Sequence, residues 1–164
     1  MKTLLIVRHA KSAAADFGQS DFDRPLNKRG KEDSIEMAQR VAEVVDQIDA
    51  FISSPAKRAR KTAEKFLDQY GVEKEEMILI PSLYEAEEAD FYEAIENLDD
   101  TYQTVALFSH NPGITDFANS QNCLNIFNMP TGSVYAIQFE TDKWSGIRIA
   151  DRKALFFFKT KDEM

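Results

Sequence analysis

The sequence predicts an α/β fold, built as a single three-layer αβα domain with a mostly parallel central sheet, helices on both faces and late antiparallel edge strands. Two observations predict it. Short apolar runs alternate with amphipathic stretches of helical period over most of the chain, and after Pro130 the pattern becomes residue-by-residue alternation. With 164 residues, 43% of them hydrophobic and 29% charged, the chain has the size and composition of one globular domain. We therefore expect residues 1–164 to form a single domain.

Four apolar runs are predicted to be parallel strands, because strands covered by helices on both faces read as continuous apolar segments. In order along the chain they are 3–7 (TLLIV), 50–54 (AFISS), 77–80 (MILI) and 104–109 (TVALFS). Three later segments show the alternation of short antiparallel strands: 133–140 (SVYAIQFE), 144–151 (WSGIRIAD) and 153–159 (KALFFFK).

Three helices are predicted between the four parallel strands from apolar residues that recur at helical spacing. The first follows Gly30 and the second follows Pro55, which suits an early helix position. The third covers residues 91–98. The apolar positions of the first two helices are Ile35, Ala38, Val41, Ala42 and Val45, and Ala59, Ala63, Phe66 and Leu67.

Charge and composition exclude several classes of function. A net charge of -8 repels nucleic acid and anionic membranes, and the run TLLIV is too short for a bilayer span or a signal-peptide core. The single Cys123 has no internal disulfide partner, and no metal-ligand motif is present. We expect a cytoplasmic protein with no metal, no cofactor, no nucleic-acid partner and no membrane contact. Any anionic substrate must then be held by a local cluster of cations.

Both histidines of the chain follow predicted parallel strands. His9 ends the first strand beside Arg8, and His110 directly follows the fourth. Arg58 lies just after the second strand, where the next helix begins. A lone histidine at a strand end more often caps or hydrogen-bonds than catalyses. However, the carboxyl ends of parallel strands share the edge where α/β proteins bind ligands. We therefore expect these four side chains to form one site.

Six segments, in order, resemble the histidine phosphatase superfamily, and within it the short SixA-type phosphohistidine phosphatases. They are LLIVRHAKS, DRPLNKRG, SSPAKRARKT, LYEA, FSHNPGI and MPTGSVYAI. The resemblance extends from Leu4 to about Phe139, and it implies the phosphoglycerate mutase-like fold. It also implies metal-free phosphoryl transfer through a phosphohistidine intermediate.

Carried over by motif, the resemblance makes His9 the phosphate-accepting nucleophile and His110 the second histidine of the pocket. Arg8 and Arg58 are the phosphate clamps, and Ser12 is the hydroxyl residue that often follows the first motif. These residue types suit the chemistry. Forked guanidinium donors match the equatorial oxygens of a phosphoryl group in transfer, and a neutral imidazole is nucleophilic near pH 7. His110 can donate to those oxygens once it is protonated, which a bound phosphate favours.

Glu85 in LYEA is the one candidate proton donor, at the position where mutase-like relatives carry theirs. An imidazole leaving group, with a pKa of about 6.5, needs far less acid assistance than an alkoxide. The short segments between motifs also leave little material for a lid over a small metabolite. We therefore predict a phosphatase that acts on phosphohistidine in proteins and that binds phosphate or sulfate in its pocket.

Two alternatives remain open. The first is a small-molecule phosphomonoesterase of the same superfamily, which would act on a small phosphate ester. The second is a weakly catalytic phosphate-binding regulatory module. It is permitted by Ala10, where the family usually has glycine, by Ala15, where it commonly has asparagine, and by the lack of an aspartate directly after His110.

Overall fold

The computed structural model describes residues 1–161, which form a six-stranded sheet and four α-helices. The strands are β1 (Lys2–Arg8), β2 (Ala50–Ser53), β3 (Ile78–Leu79), β4 (Thr104–Ser109), β5 (Val134–Phe139) and β6 (Arg152–Phe158). The helices are α1 (Lys28–Ala42), α2 (Lys57–Tyr70), α3 (Glu88–Glu96) and α4 (Gly113–Ser120).

The strand order in the sheet is β3-β2-β4-β1-β5-β6. The first four strands of the chain are mutually parallel, and β5 runs antiparallel to both of its neighbours, β1 and β6. The predicted α/β class, with its mostly parallel sheet and late antiparallel strands, is confirmed. Within the described part of the chain, no helix is both long and apolar enough to cross a bilayer.

Strand β1 shows why a strand in the central sheet, covered by helices on both faces, has a continuous apolar sequence. Successive side chains of a strand point to opposite faces of the sheet. Leu4 and Ile6 pack in a core with α3 and α4, whereas Leu5 and Val7 pack in a second core with α1 and α2. All four side chains are completely buried. Helices on both faces therefore require every residue of this stretch to be apolar.

The predicted strand 144–151 is wrong. Trp144 begins a 3-10 helix (Trp144–Gly146) instead, and its side chain is completely buried in the core beside α3 and α4. Its indole Nε1 donates to the carbonyl of Tyr102 at 2.9 Å, and its amide donates to a carboxylate oxygen of Asp100 at 2.8 Å. Ile147 is buried as well. Trp144 and Ile147 are three residues apart, a spacing that suits a helical turn and not the alternation of a strand.

Two further elements differ from the prediction. Strand β3 spans only two residues, both exposed, because it forms the edge of the sheet and pairs with β2 alone. Helix α4 was not predicted, although Ile114, Phe117 and Ala118 are spaced for one helix face and are buried. It begins directly after the second histidine motif. The turn that carries His110 is therefore continuous with a packed helix.

Candidate active site

The two histidines leave the sheet side by side. Arg8 is paired with Ser109 at the carboxyl ends of the parallel neighbours β1 and β4. His9 and His110 directly follow these two strands, and the His9 amide donates to the Ser109 carbonyl at 3.2 Å. The centroids of the two imidazole rings lie 5.1 Å apart. The sheet register thus brings together the only two histidines of the chain.

A cavity of about 450 Å³ opens at this edge of the sheet. Its lining includes Asn27, Asn111 and Thr131 beside the residues singled out from the sequence. The ten lining residues are Arg8, His9, Lys11, Ser12, Arg24, Asn27, Arg58, His110, Asn111 and Thr131. Four of them are arginine or lysine, and none is aspartate or glutamate. In a protein of net charge -8, this cavity concentrates positive charge and suits an oxyanion.

His9 is held as a neutral imidazole with a defined tautomer. Its Nδ1 lies 2.7 Å from the Ala10 carbonyl oxygen. Because a carbonyl can only accept, Nδ1 carries the proton and Nε2 carries the lone pair. Burial lowers the pKa of His9 to about 4, opposed by the bond to Ala10 and reinforced by three nearby arginines. The ring is therefore unprotonated near pH 7, as a nitrogen nucleophile must be.

His110 is also neutral in the free site. Its Nε2 lies 2.7 Å from Ser54 Oγ, whereas its Nδ1 is buried without a hydrogen-bond partner among residues 1–161. Burial lowers the pKa of His110 to about 3, helped by the neighbouring His9 and Arg58. Tyr84 packs edge-on against the ring, with centroids 5.6 Å apart. A bound phosphate would offset the nearby positive charges and favour protonation of His110.

The two predicted arginine clamps are anchored at their outer ends. Arg58 Nη1 donates to the Asp21 carbonyl at 2.7 Å, and Arg8 Nη1 donates to the Met129 carbonyl at 2.8 Å. The Nε atoms of both guanidiniums are buried and unpartnered in the described structure. Burial and the charge of Arg58 lower the pKa of Arg8. Arg58 is buried and Arg8 is partly buried. Two such cations held near one another destabilise the free site, and a bound anion would relieve that repulsion.

Asp21 organises the rim of the cavity and is not among the site residues predicted from the sequence. Its carboxylate accepts hydrogen bonds from Tyr84 Oη at 2.7 Å, Arg24 Nε at 2.9 Å and Arg58 Nη2 at 3.1 Å. These bonds, above all the one from Tyr84, lower the pKa of Asp21 to about 2. Asp21 is therefore ionised near pH 7 and holds two arginines in place. Its position three residues before Arg24 in DFDRPLNKRG was the available signal.

The backbone after His9 is fixed by two hydrogen bonds from opposite sides. The Ala10 amide donates to Thr62 Oγ1 at 2.9 Å, and the Gly132 amide donates to the His9 carbonyl at 2.9 Å. Gly132 has a φ of +75°, a backbone conformation that residues with a side chain rarely adopt. Ala10 lies outside the left-handed region. Its methyl group in place of the family's usual glycine therefore introduces no backbone strain of that kind.

Helix α1 supports the next residue, Lys11, through a close backbone approach. A Cβ on Gly30 would stand 2.0 Å from the Lys11 carbonyl oxygen, so only glycine fits there. The Asn27 amide donates to the same carbonyl at 3.0 Å, and the Asn27 side chain caps α1 by accepting from the Gly30 amide at 2.8 Å. The start of α1 thus positions the cavity wall between Lys11 and Asn27.

The remaining predicted site residues have different placements. Ser12 lines the cavity, and its Oγ accepts from Arg24 Nη1 at 2.9 Å. Glu85 is exposed, has a φ of +57° and is absent from the cavity lining. Its neighbour Tyr84 is the residue that contacts His110. The structure therefore brings five of the six predicted residues together, and the role of Glu85 as a proton donor remains a prediction.

Five lining residues had no role in the sequence analysis: Lys11, Arg24, Asn27, Asn111 and Thr131. All five stand within the segments that carried the family resemblance, so a signal was present. Residue type alone did not separate them from ordinary capping or loop residues. Among residues 1–161, no group of three or more histidine, cysteine, aspartate or glutamate side chains is arranged to hold a metal ion.

The two buried histidines make stability depend on pH. Both have a pKa below 6.5 in the folded protein, so between pH 6.5 and about 4 the unfolded chain binds protons that the folded chain does not. The contribution of the two histidines to the free energy of unfolding is therefore fully present above pH 6.5 and is lost as the pH falls. Each histidine should contribute about 1.4 kcal/mol of loss per pH unit in that window. Urea unfolding at pH 7 and at pH 5 measures this loss of unfolding free energy.

The matched control for this measurement is His110→Gln, which removes one titrating ring. The variant should lose less free energy of unfolding between pH 7 and pH 5 than the wild type does. Equal losses in the two proteins would show that His110 is not held neutral by the fold.

The fold and the cavity define a class of protein: an α/β protein with a cavity at the edge of its sheet that two histidines and several arginines line. A family model described as the histidine phosphatase superfamily (branch 1) matches residues 4–113, about two thirds of the chain. The chain belongs to this superfamily of phosphatases. A curated relative, an uncharacterised chloroplastic protein of Arabidopsis thaliana, is 29% identical over 126 residues. That match covers 72% of this chain and 58% of the relative's length.

Solved structures share the fold across almost the whole chain. One is a Nakamurella multipartitia protein assigned as the phosphohistidine phosphatase SixA (TM-score 0.82, 18% identity, 98% of this chain and 96% of that one). Another is the protein histidine phosphatase SixA with tungstate (TM-score 0.79, 20% identity, 99% of each chain). A third is a mycobacterial glucosyl-3-phosphoglycerate phosphatase with VO3 (TM-score 0.70, 13% identity, 95% and 98%). At these identities the likeness is one of fold.

Proposed function

We propose that this protein is a phosphatase that forms a phosphohistidine intermediate on His9, needs no metal ion, and removes phosphate from phosphohistidine on another protein. The observation that carries the proposal is the state of His9. Its proton is fixed on Nδ1 by the Ala10 carbonyl, so Nε2 presents a lone pair in a cavity with no carboxylate in its lining. The tungstate complex of the SixA structure supports an oxyanion ligand for this fold.

In the first step, His9 Nε2 attacks the substrate phosphorus in line with the leaving nitrogen. A new N–P bond forms on His9, and the substrate ring, which carries a proton on its other nitrogen, leaves as neutral imidazole with the electron pair of the broken N–P bond. Arg8 and Arg58 stabilise the charge on the three equatorial oxygens. The protonated form of His110, favoured by the bound phosphoryl group, donates to the same oxygens.

In the second step, water attacks the phosphorus of phosphorylated His9. The N–P bond breaks, inorganic phosphate forms, and His9 regains its lone pair on Nε2. The bond from Nδ1 to Ala10 persists through both steps, so the ring keeps its orientation. Dividing the transfer into two steps lets one nucleophile serve any substrate whose leaving group departs without strong acid assistance.

The choice of phosphohistidine over a phosphate ester is supported by the lack of a carboxylic acid in the cavity lining. Asp21, at the rim, has its pKa lowered to about 2 and is ionised near pH 7, so it is a poor proton donor. Glu85 is exposed and outside the lining. An alkoxide leaving group needs a positioned acid, whereas an imidazole leaving group largely does not. The cavity therefore suits N–P bond cleavage better than O–P cleavage.

The test compares kcat/KM for a phosphohistidine peptide with kcat/KM for a panel of alkyl and aryl phosphate esters. We expect the phosphohistidine peptide to be preferred over alkyl esters by about a hundredfold or more, the usual contribution of a general acid. Addition of a chelator should leave both activities unchanged. Glu85→Gln should leave phosphohistidine hydrolysis intact and should lower ester hydrolysis only if Glu85 reaches the leaving oxygen.

The alternatives give different results in the same assay. A preference for small phosphate esters that Glu85→Gln selectively removes would make the protein a small-molecule phosphomonoesterase. Binding of phosphate without turnover of any substrate in the panel would make it a regulatory module. Loss of activity with a chelator would contradict the metal-free mechanism.

A further inference from the structure

A second groove, of about 700 Å³, adjoins the phosphate cavity and shares Arg8 and Thr131 with it. Its other walls come from the loop between α4 and β5 and from β6 and the residues that follow. The lining is Arg8, Leu124, Asn125, Ile126, Phe127, Asn128, Pro130, Thr131, Phe157 and Lys159. Five of these ten residues are apolar, three are neutral and polar, two are cationic, and none is acidic. No step of the mechanism uses this groove beyond Arg8.

The loop between α4 and β5 is held rigidly at two buried points. The backbone of Ile126 makes two hydrogen bonds with the side-chain amide of Asn119, at 2.7 and 2.8 Å. The Met129 amide donates to Thr115 Oγ1 at 3.0 Å, and the Met129 carbonyl accepts from Arg8. Both Ile126 and Met129 are buried. The residues between them are therefore held in a fixed position.

Phe127 lies between these two anchors and is fully exposed, and Leu124 in the same loop is also exposed. With Ile126 and Met129 anchored on either side, the loop presents the Phe127 side chain to solvent. Exposed apolar side chains clustered beside a pocket mark surfaces that a partner covers. The loop thus fixes an aromatic ring at the wall of a groove that opens from the phosphate site.

We propose that this groove binds the polypeptide segment next to the phosphohistidine of the partner protein, with an apolar side chain of that segment against Phe127. The proposal rests on the proposed function. A phosphoryl group that Arg8 binds lies where the cavity and the groove meet, so the groove offers a path for the chain that carries it. The apolar residues of the groove can contact a side chain of the bound segment. Its two cations, Arg8 and Lys159, can bind backbone carbonyls or acidic residues of that segment. A small phosphate ester held in the cavity would leave the groove empty.

The experiment uses the full chain and three probes: phosphoramidate, and two phosphohistidine peptides that differ only in having Leu or Ser beside the modified residue. The wild type should prefer the Leu peptide by about tenfold, the scale of one buried apolar side chain. In Phe127→Ser this preference should disappear, and the ratio of kcat/KM for the Leu peptide to that for phosphoramidate should fall by a similar factor.

Phe17 provides the matched control. It is also fully exposed, and it lines neither the cavity nor the groove. Phe17→Ser should keep the preference for the Leu peptide. If the wild type hydrolyses both peptides equally, or Phe127→Ser keeps the preference, the groove proposal is overturned while the proposed function stands. If the wild type hydrolyses aryl phosphate but neither peptide nor phosphoramidate, the proposed function fails and the groove proposal fails with it.

A second copy of this chain is the other molecule that could occupy the groove. Light scattering tests this by measuring the mass of the wild type and of Phe127→Ser in solution. Both proteins should have the same mass. A wild-type dimer that Phe127→Ser converts to a monomer would assign the groove to a second copy of this chain and would overturn the proposal.

Discussion

Replacing His9 with glutamine should abolish phosphatase activity, with a loss of about 10⁴-fold or more, the scale seen when a covalent nucleophile is removed. Glutamine retains polarity and can donate from its amide, but it has no lone pair on nitrogen able to attack phosphorus. Water alone must then attack the substrate directly. The surrounding arginines remain, so the variant should still bind phosphate or tungstate.

The covalent intermediate can be observed directly. Wild-type protein quenched during turnover should carry acid-labile, base-stable phosphate on His9, and His9→Gln should carry none. His110→Gln is the informative control, because it removes the other ring of the pair and should still become labelled on His9, though more slowly. Labelling of any residue other than His9 would contradict the assignment of the nucleophile.

The placement of both histidines could be predicted because it depends on strand polarity alone. An apolar run that is buried on both faces identifies a central parallel strand, and the residue after it lies at the ligand-binding edge. His9 and His110 each follow such a run, and the register pairs Arg8 with Ser109. No side-chain detail was needed for this inference, which is why it could be made across about a hundred residues of sequence.

The rim of the site could not be predicted in the same way. Asp21 belongs to a short 3-10 helix in a loop, where no periodicity assigns a residue to a face. Its partners Tyr84 and Arg58 come from distant parts of the chain. Only the folded loops show that one carboxylate contacts Arg24, Arg58 and Tyr84 at once. The same reason applies to Phe127, whose exposure depends on how its loop is anchored.

The prediction of a strand at 144–151 is wrong for a different reason. The apolar residues at positions 144, 147 and 149 of WSGIRIAD fit neither the period of a helix nor that of a strand over so short a stretch. The prediction of a strand rests on the alternating segments on either side. The indole is instead held in the core by its bond to the carbonyl of Tyr102, which lies just before β4. A partner outside the segment decided its conformation.

The second large effect expected is at Arg58, where lysine should lower kcat/KM by about 10² to 10³-fold, approaching the contribution of an arginine that stabilises phosphoryl transfer. Lysine keeps the charge but loses the planar fork that binds oxygens in pairs. In the free site, that fork makes two bonds to Asp21, one to its carbonyl and one to its carboxylate. The variant therefore loses both the clamp and the orientation of the charge.

Asp21→Asn separates these two contributions. The variant keeps the guanidinium of Arg58 and an acceptor oxygen near it, so kcat/KM should fall by only about tenfold, the scale of one charge-assisted hydrogen bond. Arg60→Lys is the control on the same helix, because Arg60 bonds to the Pro55 carbonyl and lies outside the cavity lining. Steady-state kinetics and calorimetric titration with tungstate measure all three variants. If Arg58→Lys matches Arg60→Lys in both, Arg58 supplies only charge and the forked geometry is irrelevant to catalysis.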